Sequence, residues 1–230
     1  MALYRPELWV TSGYPGDYTC TFKVAFYVES DAGATTQVII SRNWNGAAEG
    51  IVFYWDNTGD QASVVWFTGG GGTFEQATLA SRPAINQQSI GYLQSSSTTV
   101  KGGWAPLSSP TSWVSNSTTN PLPAHGADNA MSLTSNANGA LLTAQNWCGW
   151  NEVLSEATLS GEIYDVAVYR TNLVFEIKMN DGDVTSPWTD SSGNGNNATQ
   201  QGGLSPTDRT NFLSAPPAPE ITATIAWLRG

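Results

Sequence analysis

GIVFYWDNTGDQASVVWF (residues 50–67) sets two apolar runs on either side of a polar hexapeptide. Both runs are rich in β-branched and aromatic residues, which suit a pleated, half-buried surface. The Asn, Gly and Asp between them favour a tight reversal, so the spacing predicts a β-hairpin. The same signature continues outward. TCTFKVAFYVE (19–29) and QVIIS (37–41) read as strands, and GEIYDVAVYR (161–170) as a strong one. SIGYLQ (89–94), NAMSLT (129–134) and GALLTAQNW (139–147) are weaker strands, while ITATIAWLR (221–229) alternates cleanly. Only NLVFEIKMN (172–180) reads as a short helix. Many short strands separated by Gly, Pro, Ser and Asn predict an all-β antiparallel sandwich or barrel. Ser95 to Asn129 is read as one long Ser/Thr/Pro/Gly-rich loop, GGGGTFEQ (69–76) as a flexible connector, and APPAP (215–219) as a stiff spacer before the final strand.

The chain of 230 residues has 40% hydrophobic residues, enough for a real core, but only 12% charged ones. A net charge of −10 opposes nucleic-acid and anionic-membrane partners, both of which select basic surface. No apolar run approaches the length of a membrane-spanning helix. Cys20 and Cys148 lie far apart and outside any CxxC spacing, which leaves two buried thiols or one disulfide. Ten tryptophans with few lysines look like an extracellular protein, yet the N-terminus lacks the pattern of a secretory signal. A virus particle, assembled in host cytoplasm and released by lysis, reconciles the two.

GEIYDVAVYR (161–170), DSSGNGNNAT (190–199) and the segment VAFYVESDAGATTQVIISR (24–42) before GIVFYW together resemble the laminin-G-like, concanavalin A-like jelly-roll family. The resemblance covers about half of the chain and implies a jelly-roll sandwich. It also implies binding of glycans or proteins, with glycosidases a minority. In that family the DSSGNGN turn usually opens the module, whereas here it follows the late strand. We therefore divide the chain into an N-terminal arm (1–18), a sandwich (19–180) and a C-terminal extension (181–230).

Glycoside hydrolysis needs two facing carboxyl groups. Glu162 and Asp165 are three apart, and an odd spacing in a strand puts them on opposite faces. They are read as a surface Glu and an Asp bonding a neighbouring loop. His125 is the single histidine; with Asp128 it lacks a nucleophile elbow, and zinc lacks its usual ligands. Calcium is the stronger metal candidate. From Asp190, Ser192 and Asn194 fall at EF-hand positions 3 and 5 and Gly195 at 6, with Asp181 and Asp183 upstream as added charge. Position 12 is Gln201 rather than Glu, so an Asx-turn around Asp190 competes with the ion. For glycans, exposed rings with amide partners are sought in loops. These are Trp44 with Asn43 and Asn45, Trp104, Trp113, Trp147 and Trp150.

The expectation is a non-enzymatic structural or adhesive protein on a phage particle surface, a capsid decoration or tail-associated protein. Its partners would be other virion subunits or copies of itself, and host-surface glycans. The arm and the C-terminal tail would make the subunit contacts. A glycan-binding module of a secreted system is the alternative, and a glucanase-like hydrolase stands third.

Overall fold

The computed structural model describes residues 2–4, 8–10, 19–30, 36–42, 50–56, 61–67, 74–119, 131–133, 142–179, 187–200, 207–210 and 212–217. Its strands are β1 (Ala2–Tyr4), β2 (Leu8–Val10), β3 (Cys20–Val28), β4 (Thr36–Arg42), β5 (Gly50–Asp56), β6 (Gln61–Phe67), β7 (Phe74–Thr78), β8 (Ser89–Ser95), β9 (Thr99–Pro106) and β10 (Val114–Thr119). They continue as β11 (Met131–Leu133), β12 (Leu142–Trp150), β13 (Leu173–Ile177), β14 (Ala198–Gln200) and β15 (Thr207–Arg209). One short helix, α1 (Glu156–Leu159), is capped by the Ser155 side chain accepting from Thr158 N–H.

These strands form two antiparallel sheets stacked as a sandwich, the jelly-roll type expected. One sheet runs β10-β9-β8-β3-β12-β1-β15, and the other β14-β2-β11-β4-β5-β6-β7. The 50–67 hairpin is present, with Asp56 opposite Gln61. β13 shares an edge of β12 with β1: β1 pairs with Thr143 and Ala144, and β13 with residues 147–150.

Alternation decides what lies between the sheets. Phe22, Val24, Phe26 and Val28 of β3 face Ile51, Phe53 and Trp55 of β5 across one core. Phe175 seals one end, edge-on to Trp147 at 4.8 Å. Glycines let the layers close: a Cβ on Gly102 would stand 2.2 Å from Cγ2 of Val64 on the facing sheet.

A second apolar cluster covers the outer face of the β3–β8–β12 sheet. Tyr92, Cys148, Trp150 and Leu173 are buried there beneath Leu154, Leu159 and Ala167. Residues 151–170 thus form a cover, and the sheet beneath is buried on both faces.

The cover explains two departures from the sequence reading. Residues 161–170 form no strand; Glu162, expected at the surface, is 1% exposed and accepts from Val168 and Tyr169 N–H at 3.0 and 2.6 Å. Its carboxylate replaces a sheet partner for those amides. NLVFEIKMN supplies strand β13 rather than a helix, because its neighbours bury all five residues of the strand. The presumed 95–129 loop contains β9 and β10, an antiparallel pair. Two strands of the expected arm, β1 and β2, pair inside the two sheets instead of reaching outward. ITATIAWLR lies outside the described residues, as does the GGGG connector. Of the two alternatives the structure has the buried thiols: Cys20 and Cys148 are both buried and form no disulfide.

Candidate functional site

The site begins at the DSSGNGN turn. Gly193 and Gly195 adopt φ of 93° and 78°, left-handed values that favour glycine. Asp190 is buried and organises the reversal. Its Oδ1 accepts from Glu176 N–H at 2.9 Å and Ser192 N–H at 2.8 Å. Its Oδ2 accepts from the Ser192 hydroxyl at 2.8 Å and Asn196 N–H at 2.9 Å. Four donors on two oxygens make this an Asx-turn locked by the chain itself.

The turn docks on the side of β13 away from β12. Asn194 Nδ2 donates to the carbonyls of Leu173 and Val174 at 2.8 and 3.1 Å, and Asn196 Nδ2 donates to Val174 O at 2.9 Å. Beside it, the end of β12 meets the turn before β13, where Asn151 N–H donates to Asn172 O at 3.0 Å. Asn172 has φ 53°, a conformation asparagine tolerates. Between these pieces lies an open depression of about 350 Å³, lined by Asn151, Asn172, Leu173, Val174, Asn194 and Asn196. Asn172 is exposed, and Asn151 Oδ1 is buried with no hydrogen-bond partner among the described residues. A carboxamide has a carbonyl acceptor and two N–H donors, and of the four lining amides Asn194 and Asn196 already give Nδ2 to the β13 carbonyls.

The residues singled out from sequence distribute differently. Asn194 and Asp190 belong to this turn, but four of the loop tryptophans are packing residues rather than exposed platforms. Trp147 and Trp150 are fully buried, Trp104 is 6% exposed, and half-buried Trp113 stands edge-on to Tyr92 at 5.1 Å. Three of the indole N–H groups are engaged inside the fold, Trp104 with Ser81 O, Trp113 with Ser160 Oγ and Trp150 with Tyr169 O, each at 2.9 Å, whereas Trp147 Nε1 is buried with no hydrogen-bond partner among the described residues. Trp104 and Trp147 are taken up by the core between the sheets, and Trp113 and Trp150 by the second cluster beneath the cover. Asn43, Trp44, Asn45, His125, Asp128, Asp181 and Asp183 lie outside the described residues. Among the described residues no group of three His, Cys, Asp or Glu is placed to hold a metal. Asn196 closes the DSSGNGN motif, but Asn151 and Asn172 carried no sequence signal, because asparagines are frequent along this chain.

A second polar cluster lies on the other side of the cover. Glu156 Oε1 meets the Tyr92 hydroxyl at 2.6 Å and Lys101 Nζ at 2.7 Å. Burial, aided by Glu156, pushes the Tyr92 phenol far above its ordinary range. For Glu156 partial burial acts upward, but hydrogen bonds from Lys101, Tyr92 and Ser115 outweigh it and hold the carboxyl below its ordinary value. Burial drives the Cys148 thiol well above its ordinary range, opposed by Lys23 and reinforced by Glu176 and Glu162, so it is no ready thiolate nucleophile.

No protein-family model matches this sequence, and no curated protein matches it. Solved structures do. A Bacteroides ovatus protein proposed to bind carbohydrate aligns with TM-score 0.63 and 11% identity, over 94% of this chain and 60% of that one. The enzymatically active domain of tailspike protein 2 from bacteriophage CBA120 aligns with TM-score 0.57 and 12% identity, over 76% of this chain and 28% of that one. The full-length tailspike gives 0.54 and 13%, over 78% and 25%. At these identities the likeness is one of fold, and this chain spans only part of each protein.

Proposed function

We propose that this protein binds carbohydrate, without chemistry on it, through the asparagine-lined depression between the DSSGNGN turn and the β12–β13 junction. The observation that carries the reading is the convergence of four asparagines on one open concavity. Vicinal sugar hydroxyls act as donor and acceptor together, as carboxamides do. A volume of about 350 Å³ is at the small end of ligand sites and suits one or two sugar residues. The fold likeness to the Bacteroides protein over 94% of the chain supports the same reading. Among the described residues no carboxylate lines the depression, so the paired acids of a glycosidase have no counterpart among them.

Asn172→Gly tests it, since glycine keeps the positive φ while removing the amide. On a glycan array followed by calorimetry, the parent chain is expected to select a sugar and the variant to bind it about 5–10-fold more weakly, the worth of roughly one hydrogen bond. A parent chain that binds no glycan, or a variant of undiminished affinity, overturns the site.

A second, finer reading places this module on a phage particle as an adhesive protein. It is favoured by the fold likeness to a tailspike and by the acidic, lysine-poor composition. Capsid or tail genes flanking its coding sequence would support that location, and a polysaccharide-utilisation cluster there would overturn it.

A further inference from the structure

The DSSGNGN turn carries a reactive peptide step beside its contacts to β13. Among the described residues Asn194 is the one asparagine followed by glycine, and both residues are exposed. Glycine after asparagine leaves the next backbone nitrogen without a side chain to shield it. The surroundings add no shield either, since a Cβ placed on Gly195 would meet nothing within 4 Å. Gly195 N–H makes no hydrogen bond among the described residues, so this nitrogen is uncommitted. Chain connectivity alone keeps it close to Asn194 Cγ, the carbon that it attacks when the pair closes to a succinimide.

The turn depends on the amide that this reaction destroys. Asn194 Nδ2 donates to Leu173 O at 2.8 Å, Val174 O at 3.1 Å and Ser192 Oγ at 3.1 Å. The two carbonyls can only accept. A carboxylate oxygen in the place of Nδ2 has no proton to give them, and three attractive contacts lose their donor at once. Asn194 also lines the depression, so the loss falls on the wall of the site. The same contacts act as a brake, because they must open before the carboxamide can turn toward the Gly195 nitrogen.

We propose that Asn194 is a hydrolytic switch, a deamidation site whose conversion undocks the turn and disables the depression. Gly195 N attacks Asn194 Cγ and gives its proton to water. The new N–C bond forms, the Cγ–Nδ2 bond breaks, and Nδ2 takes up a proton from water and leaves as ammonia. Water then adds to either carbonyl of the succinimide and opens it to aspartate or isoaspartate. The net change is amide and water to carboxylate and ammonium, with no oxidant or reductant. That the switch controls carbohydrate binding rests on the function proposed above; the modification itself does not.

Peptide mapping of the full chain, held folded in mildly alkaline buffer, tests the chemistry. The peptide containing Asn194 is expected to become about 1 Da heavier with time, as mixed aspartate and isoaspartate. The other described asparagines should convert later, and the denatured chain should convert at Asn194 faster than the folded one. Asn194→Asp, which carries the product's charge from the start, is expected to melt several degrees below the parent. Both it and the aged chain should bind the sugar that the parent selects at least about 10-fold more weakly. A folded chain that keeps Asn194 intact while its denatured form converts overturns the proposal. So does an Asn194→Asp variant with the parent's melting temperature and affinity. A parent chain that binds no glycan sinks the carbohydrate reading and the control of it, whereas mapping and melting still decide the modification and the undocking.

Discussion

Asp190 illustrates how a single residue decides between two chemistries. Both its oxygens are filled by donors of the chain, three of them backbone amides from β13 and the turn. Asp190→Ala strands those donors in a buried place, so a loss of about 2–4 kcal/mol in denaturant unfolding is expected. The same saturation predicts that excess chelator leaves the melting temperature of the parent chain unchanged; a fall of several degrees would instead reveal a bound ion. Glu156 gives a pH signature. Its folded pKa is depressed, so its contribution is fully present above the unfolded value and is lost as pH falls through the folded one. Against Glu156→Gln, the parent's stability advantage should hold steady near neutral pH and shrink below about pH 4. Added salt should shrink it too, because Lys101 and Glu156 are part exposed. An advantage constant down to pH 2 would show that the carboxylate charge is irrelevant.

At the scale of elements, β9 is set by what it lacks. Gly102 lies where the two sheets approach, with Val64 Cγ2 2.2 Å and Tyr92 O 3.2 Å from the place of a Cβ. Gly102→Ala therefore forces the layers apart, with an expected cost of about 1–3 kcal/mol in equilibrium unfolding. A neutral result would mean that Val64 rotates away freely. The glycines in this strand also explain why it read as loop, since the composition that permits close packing is the composition of turns. β10 was hidden for a different reason. Edge strands carry polar residues, and VSNSTT has no apolar alternation to display. The hairpin at 50–67 and strand β3 were legible because one face is core and their residues are β-branched or aromatic. GEIYDVAVYR misled because Ala167 and Tyr169 pack on a sheet without joining it, and the amides of Ala167, Val168 and Tyr169 turn to Glu162 and Glu176. Of the site, the DSSGNGN turn was visible as Asx and glycine chemistry. Asn151 and Asn172 were not, because their meeting depends on β12 and β13 being neighbours.

The whole molecule turns on the first ten residues. β1 lies between β12 and β15 in one sheet, and β2 between β11 and β14 in the other. A strand pair from one end of the chain therefore closes both layers on the same side of the sandwich, where the turn and β14 also return. Leu8 and Val10 are fully buried in the main core, and their burial is worth roughly 3–6 kcal/mol together. Removing them also strips hydrogen-bond partners from four strands. Set against a total stability of about 5–15 kcal/mol for a domain, that loss is near the whole margin. A chain beginning at Thr11 is thus expected to lose its cooperative thermal transition by circular dichroism and to aggregate through the opened edges. Supplying residues 1–10 as a separate peptide should restore part of the transition by strand addition. A truncated chain that melts at the parent's temperature would instead mean that β1 and β2 are dispensable to the sandwich, and would free this segment for contacts with another subunit.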